Sequence, residues 1–290
     1  MKDFFKLIRV KHWLKNILIF LPVFFSSNIL STKYLKISLI AFIVFCLSAS
    51  IVYIINDLND LEKDKNHPIK KTRPLASGKI KLSTAIITII VLILASLIIS
   101  LYLYSITNNI LVILISIIYI VVNILYSIIL KDIPIIDVSV IVLGFVLRVM
   151  YGGVVTGIEV SKYLYLMIIF GAFFLGFGKR RNEILKNGTK SRKSLDYYNH
   201  SFLDKNMYVM LGLAVVSYTL WCVDKDTISR IGNDYLFWTI PLVIIILQLY
   251  SLNIEGNSHG DPIDVFFSDK KLIVMSIIYV AIMSGILYLV

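Results

Sequence analysis

Apolar residues run through this chain in long blocks rather than in a short period. Stretches of about 17–24 residues, each long enough to cross a hydrocarbon core of roughly 30 Å, recur from end to end. Nine spans are predicted, over residues 14–30, 37–57, 84–104, 108–130, 134–156, 161–180, 207–223, 234–252 and 271–289. No soluble block separates them. Residues 1–290 therefore read as a single transmembrane domain of an all-α membrane protein, a polytopic bundle of nine transmembrane helices. The fifth span is expected to be the least regular, because it holds Pro134, Asp137, Gly144, Arg148, Gly152 and Gly153. The first apolar block follows the basic, aromatic stretch MKDFFKLIRVKHWLKN and lacks a small-residue cleavage site, so a retained span is expected rather than a signal peptide.

Composition supports the pattern: 58% of residues are hydrophobic and 16% charged, with a mean hydropathy of +0.84. An ordinary soluble domain is about one-quarter charged. Cys46 and Cys222 lie far apart within apolar blocks and read as small packing residues. His12, His67, His200 and His259 are scattered without ligand spacing, so no zinc site is expected.

The net charge of +11 would fit a nucleic-acid partner, but its distribution points to a membrane instead. With the N-terminus inside, 23 of the 29 Lys and Arg fall in cytoplasmic segments and five outside, and Arg148 lies within a span. The positive-inside rule then gives a multi-pass cell-membrane protein, N-terminus cytoplasmic and C-terminus outside. The polar loops 2/3, 6/7 and 8/9 and the short 4/5 turn all face the cytoplasm, so an active site is expected to open there. No nucleic-acid partner is expected.

The second span ends in Asn56, Asp57, Asp60 and Asp64. On a helix the aspartates, at i, i+3 and i+7, share a face, with Asn56 one turn before Asp60. Like charges at that spacing repel unless a cation neutralises them. An oxygen-only ligand set suits Mg²⁺, which is held by one or two carboxylates together with substrate phosphates. A solvated helix end paired with Lys63, Lys65, Lys70 and Lys71 is the plainer alternative. Pro68 and the Arg73–Pro74 step are expected to stop the helix and turn the chain. That turn brings Arg73, and with it Lys79, to the pocket as phosphate ligands, Arg73 through its bidentate fork.

These residues resemble the first aspartate-rich motif of the UbiA superfamily of membrane prenyltransferases. The segment Tyr126 to Lys131, followed by Pro134 and Asp137, is similar to that superfamily's tyrosine-to-lysine stretch. A narrower likeness is to decaprenyl-phosphate phosphoribosyltransferases. It rests on Arg9–Asn16 (with Val10 where that branch commonly has proline), Gly144–Gly153, Gly178–Glu183 and Arg192–Tyr198. Where aromatic prenyltransferases carry a second Asp-rich motif, this chain has Lys179, Arg180 and Glu183, a wall suited to a second anionic substrate. Arg148, a charge within a span, is a functional-site candidate in its own right; a structural partner for Asp137 is the alternative.

The resemblance implies Mg²⁺-dependent transfer of 5-phosphoribosyl from phosphoribosyl diphosphate to a polyprenyl phosphate of the decaprenyl type, as in making a cell-wall precursor. Asn56, Asp57, Asp60 and Asp64 are implied as metal ligands. Asp57, Asp60, Lys131 and Arg148 are implied in catalysis, and Lys15, Asn56, Arg73, Tyr126, Lys131, Arg148, Lys179, Arg180 and Glu183 in substrate binding. The alternatives are a UbiA-type prenyl transfer to an aromatic acceptor and, from another class, a transporter using the interrupted fifth span. Homo-oligomerisation is compatible with the sequence but not specified by it, and Asp261 and Asp269 receive no chemistry.

Overall fold

The computed structural model describes residues 2–66, 70–188, 192–255 and 262–289, and its chain is all helix and connection among them. Pro68, Asp261, His67 and His259 lie outside the described residues. Eight described helices are long and apolar enough to cross a membrane. They are α3 (Thr32–Asn59), α5 (Leu82–Thr107), α6 (Leu111–Ile128), α7 (Ile136–Thr156), α8 (Lys162–Asn187), α9 (His200–Val223), α11 (Ile240–Glu255, extended at its start by a 3₁₀ turn, Tyr235–Thr239) and α13 (Lys270–Tyr288). The shorter α1 (Lys2–Leu7), α2 (Leu21–Phe25), α4 (Leu61–Lys65), α10 (Lys225–Ile231) and α12 (Pro262–Ser268) lie between or before them. With this many spans the protein is a multi-pass membrane protein.

The block predicted as the first span takes another form. After α1, Arg9 adopts a left-handed backbone (φ 51°), and Val10–Phe20 winds as a 3₁₀ helix of 11 residues before α2 begins around Pro22. Runs of 3₁₀ helix beyond three or four residues are uncommon, so something must hold this one. Packing against α3 holds it. Trp13 Nε1 donates to Ser50 Oγ (3.0 Å), Asn16 Nδ2 to Cys46 Sγ (3.2 Å), and the Phe20 and Phe42 rings lie 5.9 Å apart. As one number rises the other falls by about four, so the two segments run antiparallel. Three residues of 3₁₀ helix and four of α-helix each rise about 6 Å, which keeps the two ladders in register. The 11 residues at roughly 2.0 Å and the five of α2 at roughly 1.5 Å together extend about 30 Å, the thickness of a hydrocarbon core.

The fifth predicted span also differs. Far from irregular, α7 is continuous over 21 residues, and Pro134 lies just before it. Gly152 serves approach rather than interruption: a Cβ there would overlap the carbonyl oxygen of Ile19 in the 3₁₀ segment.

The chain forms two compact units, residues 1–130 with 147–159, and residues 131–146 with 160–290, so that α7 contributes to both. In the first unit α3 is the central helix, packed by the 3₁₀ segment, α5 and α6 around Val44, Phe45, Ala49, Val112, Ile115 and Tyr151. The buried face of α5 is marked by small and polar residues, Ala85, Thr88, Ser96 and Ser100, while Ile90, Val91, Leu94, Ile98 and Leu101 are exposed. This is the logic of helices in lipid. Tails are as apolar as leucine, so close packing and polar contacts such as Ser48–Ser96 (3.4 Å) select the interface. In the second unit α8 and α9 pack along their length around Phe174, Phe177, Leu203 and Met207, and α11 and α13 pack against each other. Asp269 caps α13: its carboxylate accepts from Lys271 N–H and from Asn253 Nδ2, both at 2.7 Å, and these bonds, the Asn253 bond first, hold it below the usual carboxylate range.

Two tests follow from this packing. Gly152→Ala is expected to lower the thermal unfolding midpoint by an overpacking cost of about 1–3 kcal/mol. Gly171→Ala, whose added Cβ meets nothing within 4 Å in α8, is expected to be neutral or to stabilise by up to about 1 kcal/mol. Equal effects of the two would refute the close approach of Gly152 to Ile19. Asp269→Ala is expected to lower the midpoint at neutral pH. Because the folded carboxyl titrates below its unfolded value, the advantage of the wild type is present above the ordinary carboxylate pKa and shrinks as pH falls through the folded one. Midpoints compared across pH 3–7 in detergent check this.

Candidate functional site

In the first unit, α3 ends at Asn59 and Asp60 occupies the joint to α4, so the aspartates span two helices rather than one. The bonds Asp60 N–H to Asn56 O (3.0 Å) and Asp64 N–H to Asp60 O (2.8 Å) keep a helical spacing through that joint. Asp57 and Asp64 therefore still converge. Arg73 Nη1 donates to Asp57 Oδ1 at 3.0 Å and to Asp64 Oδ2 at 2.5 Å. Arg9 Nη2 donates to the same Asp57 Oδ1, and its guanidinium lies 4.7 Å from the centre of the Tyr53 ring, one turn earlier on α3. The carboxylates are 3% and 4% exposed, against 18% for Arg9 and 25% for Arg73. The turn after the 3₁₀ helix Lys70–Thr72 delivers Arg73, as the Arg73–Pro74 step predicts.

Deeper in the same unit, Arg148 of α7 is nearly fully buried. Its Nε donates to Asn16 Oδ1 (2.7 Å) and its Nη2 to Tyr119 Oη (2.9 Å), and its guanidinium lies 4.9 Å from the Tyr119 ring centre and 5.9 Å from that of Phe45. The alternative role, as partner of Asp137, does not fit a continuous helix, because 11 residues separate the two by about 16 Å of rise. The half-buried Lys15 is next to Asn16 on the 3₁₀ segment, and the half-buried Tyr126 ends α6 beside the buried Ser127.

The second unit holds its own charge network. Arg180 of α8, 1% exposed, donates from Nε to Asp137 Oδ2 (2.6 Å) and from Nη1 to Glu183 Oε2 (3.0 Å), and Arg192 Nε lies 3.6 Å from Glu183. Tyr198 Oη donates to Asp137 Oδ1 (2.6 Å) and accepts from Ile135 N–H (2.5 Å). Ser194 Oγ reaches Lys131 O (3.0 Å) and Asp137 Oδ2 (3.3 Å). Burial, and then donation to Asp137, push the Tyr198 phenol above its usual pKa, so it stays neutral at working pH. Ile135 has φ 69°, a left-handed conformation that costs a β-branched residue free energy and persists only where its surroundings fix it. The network thus clamps the turn that carries Lys131. Arg180, expected against a substrate phosphate, is the hub of this clamp, and Lys179 is half-buried beside it.

Asp57, Asp64 and Arg73 are brought together, as are Arg180 and Glu183. Arg9, Tyr198 and Ser194 join these networks through contacts that no local pattern foretold, although all three lie in stretches that carried the family likeness. The buried Asp137 was flagged by its place within a span and in the family-like segment, and as a partner of Arg148, but its partners here are Arg180, Ser194 and Tyr198. As to Mg²⁺, the donor set fits: two buried carboxylate oxygens meet at one point already held by a cation, and oxygen ligands supplemented by substrate suit this ion. Among the described residues no group of three or more His, Cys, Asp or Glu is placed to hold a metal ion by itself.

Comparison with known proteins agrees over nearly the whole chain. It is 34% identical over 282 residues to the decaprenyl-phosphate phosphoribosyltransferase of Corynebacterium glutamicum, covering 95% of this chain and 83% of that protein. It is 31% identical over 297 residues to the enzyme of that name from Mycolicibacterium smegmatis, covering 98% and 92%. The structure of a UbiA homolog from Archaeoglobus fulgidus bound to DMAPP and Mg²⁺ matches with a TM-score of 0.70 over 98% of this chain and 99% of that one, at 18% identity, a likeness of fold. The UbiA prenyltransferase family model matches residues 19–276, across both compact units, and the chain belongs to that family.

Proposed function

We propose that this protein transfers 5-phosphoribosyl from phosphoribosyl diphosphate to a polyprenyl phosphate, releasing diphosphate. The observation that carries the choice of donor is the likeness, at 31–34% identity over nearly the full chain, to proteins named for that transfer. The residues support it. Asp57 and Asp64, with Asn56 and Asp60 of the same motif, would hold Mg²⁺, which would offset the charge that gathers on the departing diphosphate. Arg73 and Lys15 supply charge for substrate phosphate oxygens, and Tyr126 is a further substrate contact. Arg148, held by neutral partners at Asn16 and Tyr119, presents charge to a phosphate. Lys131, on its clamped turn, and Lys179 do the same, while Arg180 and Glu183 fix that turn from behind. An oxygen of the lipid phosphate attacks the anomeric carbon as the bond to diphosphate breaks. That oxygen is already anionic near neutral pH, so positioning rather than a strong base governs the rate.

The family match, which covers residues 19–276 and runs through both units, supports reading residues 1–290 as one transmembrane domain. The excess of Lys and Arg supports a cell-membrane protein with a cytoplasmic N-terminus, an outer C-terminus and a site open to the cytoplasm. The 3₁₀ and α2 segment, with the reach of a full crossing, supplies the ninth passage this topology needs. The continuous α7 removes the interrupted helix that favoured a transporter.

Purified protein given radiolabelled phosphoribosyl diphosphate, polyprenyl phosphate and Mg²⁺ is expected to move label into the lipid fraction. No label there, with turnover of a prenyl diphosphate and an aromatic acceptor instead, would establish the other UbiA chemistry. Asp57→Ala is expected to lower turnover roughly 10²–10³-fold while the protein stays membrane-inserted; near-normal Mg²⁺-dependent activity would remove the metal role. Arg148→Ala is expected to raise KM for the phosphate substrates about tenfold or more, with partial recovery in Arg148→Lys. A fall in folded yield without a kinetic change would make Arg148 a packing residue.

A further inference from the structure

The two acids of the metal motif are neutralised by two guanidiniums, and geometry makes this a competition. Asp57 Oδ1 and Asp64 Oδ2 point at the same nitrogen, Arg73 Nη1, and Arg9 takes Asp57 Oδ1 as well. A divalent cation held by both carboxylates needs oxygens at about 2.0–2.1 Å, the ground that Arg73 Nη1 holds. Arg9, Arg73, Asp57 and Asp64 sum to zero charge; a dication added to these four leaves two positive charges, which Asp60 of the same motif reduces to one. A diphosphate carries the charge that restores balance.

The fold separates fixed from movable partners. The acids sit on helices α3 and α4 and are almost fully buried, whereas Arg9 and Arg73 lie on connecting segments and are several times more exposed. Their forked donors match phosphate as well as carboxylate. We propose that Arg9 and Arg73 are exchangeable counter-cations: they neutralise Asp57 and Asp64 when no divalent ion is bound, and turn to the diphosphate oxygens when Mg²⁺ takes the carboxylates. This rests on the reading of Asp57 and Asp64 as metal ligands, but not on the identity of the group transferred.

The exchange predicts opposite signs for two affinities. Full-length protein in detergent is titrated with Mn²⁺, a paramagnetic substitute for Mg²⁺, and separately with pyrophosphate at saturating Mg²⁺. Arg73→Gln removes the competitor, so Mn²⁺ alone is expected to bind about tenfold tighter, while pyrophosphate binds roughly tenfold or more weakly. Arg73→Lys keeps the charge and is expected near the wild type for Mn²⁺, and Asp57→Asn is expected to abolish Mn²⁺ binding. Mn²⁺ affinity unchanged or weakened in Arg73→Gln overturns the proposal. If Arg73→Gln or Arg9→Gln folds only when Mg²⁺ is present, the exchange is supported. If both fail to fold with and without Mg²⁺, the arginines are permanent structural partners and it falls. Opposite signs in a protein that moves no phosphoribosyl group would sink the proposed function and leave the exchange standing.

Discussion

A carboxylate buried at the end of a membrane span costs several kcal/mol to desolvate unless a cation meets it with good geometry. Asp57 is in that position, and much of the first unit follows from how it is neutralised. Arg9 must come from the N-terminal segment, which fixes where the 3₁₀ helix begins against α3. Arg73 must come back from beyond α4, which fixes the turn before α5. One carboxylate oxygen thus ties three stretches of chain that are far apart in sequence. The second unit applies the same rule with Asp137, Arg180 and Glu183, tying α7 to α8 and to the 192–198 connection.

Both networks coincide with backbone held in a left-handed conformation, at Arg9 and at Ile135. Neither is glycine, and each costs free energy that its surroundings must offset. At Arg9 the offset includes the packing of the following 3₁₀ segment on α3, besides the contacts with Asp57 and Tyr53. At Ile135 it is the Tyr198 hydroxyl, which accepts from the backbone N–H and donates to Asp137. Strain at these two points places a guanidinium against the acids in one case and steadies the Lys131 turn in the other.

The spans were legible because length and apolarity act locally and need no partner. The convergence of Asp57 and Asp64 was legible for a similar reason: their spacing keeps its helical register through the α3–α4 joint. The first segment was not, because its period is three, through Val10, Trp13, Asn16 and Ile19, and that period is stabilised only by α3. The expected irregularity of α7 failed because glycine inside a lipid-embedded helix marks close approach as often as a break, and Gly152 is the former. The partners of the charges were beyond reach for another reason. Arg9 and Asp57 are 48 residues apart and Asp137 and Arg180 are 43 apart, and nothing local encodes either pairing.

The two arginine–aspartate networks use the same chemistry at different depths, and depth decides what each can do. Arg180 is enclosed, with its Nε and Nη1 spent on Asp137 and Glu183, so turning it toward a ligand would strand a buried Asp137, a change that typically costs 3–5 kcal/mol. It acts through what it holds, the turn bearing Lys131. Arg9 and Arg73 lie on the open side of their acids, and an incoming cation can take over the charge they leave. The same exchange at Asp137 would need a metal to enter a site that is closed on every side the described contacts reach. Arg180 is thus a fixed clamp within the second unit, whereas the exchange proposed for Arg9 and Arg73 needs only that an incoming cation replace them at their acids.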